Sequence, residues 1–146
     1  MTTSAQFASM SIEEAQIRIE CLYGFKLAAL SPDRIIGAQE AVMGRNCKWE
    51  QIADWEKMTD HELLEKTGFA EAENCADLMV ISEASFFRNK GAFLIRGSDL
   101  RDFTSDHLAS IGECMYSGDL IIVSLDDGAT WIFSHEGHYT TLPACG

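Results

Sequence analysis

The sequence predicts an α+β fold, with N-terminal helices packed on a mainly antiparallel sheet that ends in a C-terminal three-stranded meander. Three observations carry this expectation. Apolar residues at helical spacing, bracketed by capping signals, fill the first half of the chain. After Ala76 they give way to short runs rich in Val, Ile and Phe. Near the C-terminus Asp127-Gly128, a strong hairpin signal, separates two further apolar runs.

Ser11 and Glu14 form a capping box ahead of Ile12, Ala15, Ile19, Leu22, Tyr23, Leu27 and Leu30, the apolar face of a first helix. Ser31-Pro32 then reads as an N-cap with proline at the first helical position, and Gly44 as the stop of that second helix. Trp49, Ile52, Ala53 and Met58 suggest a third helix. Thr59 with Glu62 opens a fourth, which Gly68 ends. Leu78 to Ser82 and Ala92 to Arg96 are expected strands, with Phe86 to Gly91 as a loop between them. A further helix, capped at Thr104 or Ser105, would carry Leu108, Ile111 and Met115 and stop at Gly118.

The meander follows as Asp119 to Asp126, Ala129 to His135 and His138 to Leu142, with Glu136-Gly137 as its second turn. Two-residue turns would place Ile121, Val123, Leu125, Ile132 and Tyr139 on one face. Leu120, Ile122, Trp131, Phe133, His135, His138 and Leu142 would then share the other. Both faces are apolar, so the one not packed on the helices must be covered by a remaining helix, a partner or a second copy of the chain.

The 146 residues fit one domain: 1–10 flexible, 11–69 helical, and 76–142 mixed and closed by the meander. Five scattered cysteines with no C-x-x-C pair suit reduced thiols in a cytoplasm. The first ten residues carry no secretory pattern, and no apolar run is long enough to span a bilayer. Net charge is −12, and from Asp102 onward seven acids stand without a Lys or Arg. A second stretch, Glu50 to Asp77, holds nine acids against Lys57 and Lys66. Such a chain repels nucleic acid and anionic membranes, and its natural complement is a basic protein.

The sequence has no phosphate-binding glycine motif, no nucleophile elbow and no calcium loop, and it implies no cofactor. Across a two-residue turn, His135 and His138 would oppose each other and could hold a metal, with Cys145 or Asp119 as further ligands. Solvated histidines at a hairpin tip are the commoner outcome. Cys114 or Cys145 could pair with His107 or His135 as nucleophile and base, but nothing in the sequence marks either thiol as activated. Trp49 fits a core position, whereas Trp55, among Asp54, Glu56 and Lys57, fits an exposed one.

Taken together, charge and aromatics favour a non-enzymatic, acidic protein-binding inhibitor. A small metal- or thiol-dependent enzyme and an oligomeric adaptor are the alternatives. The segments Gly118-Asp119-Leu120-Ile121-Ile122-Val123 and Trp131-Ile132-Phe133-Ser134-His135-Glu136-Gly137, following a helical half in a small chain, resemble bacterial immunity proteins that neutralise a cognate toxin. The resemblance implies a one-to-one complex with a basic, nuclease-like toxin domain. A phage-encoded inhibitor of a host defence protein has the same physical profile. On this reading the contacts come from Glu50, Asp54, Trp55, Asp126, Asp127, Trp131 and Glu136, in a chain that is otherwise a monomer or homodimer.

Overall fold

Among the described residues, seven short strands form one antiparallel sheet with helices on both faces. The computed structural model describes residues 8–23, 48–87 and 90–142. The strands are β1 (Ala8–Met10), β2 (Glu50–Gln51), β3 (Asp77–Ile81), β4 (Ala92–Arg96), β5 (Leu120–Ser124), β6 (Thr130–Phe133) and β7 (His138–Leu142). The helices are α1 (Ile12–Tyr23), α2 (Asp60–Thr67), α3 (Glu83–Phe87) and α4 (Leu100–Asp106), with a π-helical turn at His107–Ile111. Strand order is β1-β4-β3-β5-β6-β7-β2, so β5, β6 and β7 form the expected meander.

The pleat divides the core in two. Leu78, Val80, Phe93, Ile95, Leu120, Ile122, Trp131 and Phe133 pack against Leu63 and Leu64 of α2, Leu100 and Phe103 of α4, and Phe69, Met115 and Tyr116. On the opposite face Met79, Ile81, Ala92, Ile121 and Val123 meet Ala15 and Ile19 of α1. A helix of this chain therefore covers the second apolar face of the central strands, with no second copy needed there.

Local signals succeed where tertiary contacts agree with them. The Thr59–Glu62 capping box is closed in both directions, and Gly68 ends α2 in the left-handed conformation at φ 77°. The third expected helix does not form. Glu50 and Gln51 pair instead with Tyr139 and His138 of β7, and only Trp55–Lys57 makes a single 3₁₀ turn, after Asp54 at φ 58°. Sheet pairing here outweighs the helical spacing of Trp49, Ile52 and Met58. Ala8–Met10, expected to be flexible, is an edge strand on β4. Its partner segment requires Gly91, which sits at φ 72° where a Cβ would lie 2.3 Å from the Met10 carbonyl oxygen. Phe86 and Phe87, expected in a loop, belong to the helix Glu83–Phe87 instead. The second expected helix, Ser31 to Gly44, lies outside the described residues, as do Leu27, Leu30 and Cys145.

The helix expected to start at Thr104 or Ser105 begins at Leu100. Leu100, Phe103, Thr104 and His107 form its buried stripe, Leu108 is 49% exposed, and Gly112 rather than Gly118 ends it at φ 82°. Met115 and Tyr116 reach the core from the irregular segment beyond. Asp60 holds them: its carboxylate accepts the Met115 N–H at 2.7 Å and the Tyr116 N–H at 3.1 Å. Asp60→Ala would strand two buried N–H groups, and a loss of about 2–4 kcal/mol in unfolding free energy is expected in urea titration. A loss under about 0.5 kcal/mol would refute this role.

Candidate functional site

The turn between β6 and β7 gathers most of the polar chemistry at one end of the sheet. Phe133 pairs with Tyr139, and Ser134 donates its N–H to the His138 carbonyl at 2.7 Å, leaving His135, Glu136 and Gly137 as a three-residue turn. Gly137 takes the left-handed conformation at φ 86°. A two-residue turn would have opposed His135 and His138. The extra residue moves Tyr139 onto the Phe133 face and sends His138 and Leu142 to the other, correcting the sequence-based register. The first hairpin behaves differently. Its connection, Leu125 to Gly128, has four residues and pairs Ile122 with Trp131, so the expected faces of β5 and β6 survive.

Asp119, just ahead of β5, organises the turn. One oxygen of its carboxylate, Oδ1, accepts both the backbone N–H and ring Nδ1–H of His135, each at 2.8 Å. The Asp119 side chain is 9% exposed, whereas that of His135 is 59% exposed, so a buried acid orients a ring open to solvent. The hydrogen bond that His135 donates to Asp119 raises the His135 pKa above its ordinary value, opposed by burial and helped by the charges of Asp119, Glu136 and Glu83. Glu136 Oε1 lies 3.9 Å from His135 Nε2, and Glu136 Oε2 lies 4.0 Å from His138 Nδ1. Among the described residues, no group of three or more His, Cys, Asp or Glu side chains could hold a metal. The three-residue turn does not oppose His135 and His138, the pairing on which the weaker metal reading of the sequence depended.

Edge strand β2 completes this corner. Ile52 donates its N–H to the Gly137 carbonyl at 2.9 Å. Tyr139 Oη donates to Glu50 at 2.7 Å, an interaction that raises the Tyr139 pKa, with burial adding to it. Trp55 is half-buried: its ring meets Phe133 edge-on, with centroids 5.1 Å apart, and covers Gly137. On the same segments Glu50, Asp54, Glu56 and Glu136 are exposed, with Lys57 weakly paired to Asp54 at 4.0 Å.

The residues singled out from the sequence thus fall into three places. Glu50, Asp54, Trp55 and Glu136 are brought together at this corner. Asp126 and Asp127 lie in the β5–β6 turn at the opposite end of the sheet, where Asp126 accepts the Ala76 N–H at 3.1 Å and Asp127 the Ala129 N–H at 3.0 Å. Trp131 is only 7% exposed and belongs to the core, which corrects its expected surface position. Trp55 is likewise more enclosed than an exposed anchor.

Of the thiol–imidazole alternative, only Cys114, His107 and His135 can be placed, since Cys145 lies outside the described residues. His107 is buried, with Nδ1 2.7 Å from the Glu113 carbonyl and Nε2 2.9 Å from Ser82 Oγ, so both ring nitrogens have partners. Burial, followed by the nearby Asp60 charge, raises the Cys114 pKa, the reverse of activation. Sequence reasoning missed two interactions, Asp119 with His135 and Glu50 with Tyr139. The three-residue turn, with Gly137 at its left-handed position, was the signal for the first.

No protein family, curated protein or solved structure matches this chain. The likeness to immunity proteins therefore rests on the sequence segments alone, and the corner must be read from its own chemistry.

That chemistry depends on Gly137. A Cβ there would lie 2.5 Å from Trp55 Cδ1, on a backbone that side chains rarely adopt. Gly137→Ala should cost about 1–3 kcal/mol in unfolding free energy and shift tryptophan emission as Trp55 is displaced. Unchanged emission and stability would show that Trp55 does not depend on the turn.

Proposed function

We propose that this chain is a non-enzymatic acidic protein that binds and inhibits a basic protein partner, most plainly an immunity protein for a cationic nuclease-like toxin domain. The observation that carries the reading is the corner where the half-buried ring of Trp55 lies against Gly137, with exposed Glu50, Asp54, Glu56 and Glu136 on the segments that meet there. A partly exposed aromatic ring on segments rich in carboxylates suits a surface rich in Arg and Lys, through charge steering at the rim and packing at the centre. The chain's net charge of −12 supports the same choice of partner and opposes nucleic acid as a ligand. Among the described residues, no helix is long and apolar enough to cross a membrane. The proposed setting is the cytoplasm, with the inhibitor acting as a monomer or homodimer. Asp126 and Asp127 form a second acidic patch at the other end of β6 from Glu136.

The test is capture of partners from native cells on tagged protein at low and then moderate salt, followed by association kinetics. A single basic protein retained near one-to-one stoichiometry is expected. Asp54→Lys with Glu136→Lys should slow its association about ten-fold or more, while Asp126→Lys with Asp127→Lys changes it less than about two-fold. The reverse ranking would move the contact to the other end of the sheet. Recovery of the chain alone would overturn the inhibitor reading.

A further inference from the structure

A histidine whose backbone N–H and ring N–H are both held by one enclosed carboxylate oxygen is poised to couple protonation to backbone order. In the neutral ring Nδ1–H still donates to Asp119, so the hydrogen bond survives deprotonation. What disappears is the positive charge. The groups facing that charge are Asp119 ahead of β5, Glu83 on α3, and Glu136 in the turn itself, with His138 of β7 on the far side of Glu136. Glu83 is brought close because its carboxylate lies against Gly118, where a Cβ would be 2.0 Å from Oε1. Asp119 and Glu136 thus lie within 4.0 Å of the imidazole, and the charge of Glu83 also acts on it.

We propose that Asp119 and His135 form a proton-controlled latch on the β6–β7 turn, closed when His135 is protonated and loosened when it is neutral. The mechanical link is short. His135 is the first residue of the turn, and Gly137, its last, carries the Trp55 ring and accepts the Ile52 N–H. Loosening the turn loosens the seat of Trp55 and the attachment of β2. The sign follows from linkage. A group whose pKa is higher in the folded state contributes stability that is fully present below its unfolded value, about 6.5, and is lost as pH rises through the folded value. The latch thus holds in mildly acidic solution and weakens under alkaline conditions. Its consequence for partner binding rests on the function proposed above, but the latch itself does not.

Amide hydrogen exchange by NMR on the intact chain tests it without a partner. After correction for intrinsic rates, protection of the Ile52, His135 and Gly137 amides should fall about two- to five-fold as His135 deprotonates, the range for a partly exposed ion pair. Amides in β3 and β4 should not change. In His135→Gln the fall should vanish, and in His138→Gln it should persist. Protection independent of pH in the unaltered protein, or the same fall in His135→Gln, would overturn the latch. Should the glutamine variant fold poorly, the ring titration of His135 in the unaltered protein decides. A midpoint above about 6.5 is expected, and one at or below that value overturns the proposal. Partner capture that fails while the latch titrates as expected would count against the inhibitor reading alone.

Discussion

A carboxylate inside a protein core is costly unless donors meet it, and Asp60 meets that condition with two backbone N–H groups from a segment 55 residues further along the chain. The capping box places Asp60 in the first turn of α2, and from there it fixes Met115 and Tyr116. Tyr116 in turn packs edge-on against Phe133 with centroids 4.9 Å apart, and its hydroxyl lies 3.2 Å from Thr67 Oγ1 at the end of α2. One acid thus joins the helical layer, the irregular segment before β5 and the meander. Arg101 of α4, paired with Glu65 of α2 and with Glu73, closes the same layer from outside.

Asp119 repeats the device at the end of the sheet. It too is enclosed and accepts a distant backbone N–H, but it shares its oxygen with an ionisable ring rather than with a second amide. That difference separates a fixed structural tie from one that responds to protons. It also explains why chemistry collects at this turn. Asp119 orients His135, and Gly137 admits Trp55. Edge strand β2 then adds Glu50 and Tyr139.

Much of the fold was legible because local and tertiary preferences coincide. The Thr59–Glu62 box, the Gly68 stop and the apolar runs of β3 and β4 each sit where their own chemistry places them. The helical spacing around Trp49 to Met58 failed because β7 offered Glu50 and Gln51 a ladder, and because Asp54 turned the backbone to positive φ. The last helix was displaced because Leu108 and Ile111 matched the period as well as Leu100 and Phe103, and spacing alone cannot say which stripe is buried. Of the residues expected to make contact, four lie at one corner, two stand at the opposite end of the sheet, and Trp131 turns inward.

Alone, the sequence determined the fold class, the meander and the acidic character. These follow from composition, caps and alternation, which act over a few residues. Only the tertiary structure decided the register of β7, the burial of Trp131, and the meeting of Asp119 with His135 and of Trp55 with Gly137. Each depends on turn length or on packing between residues far apart in the chain, and one added turn residue exchanges the faces of a whole strand.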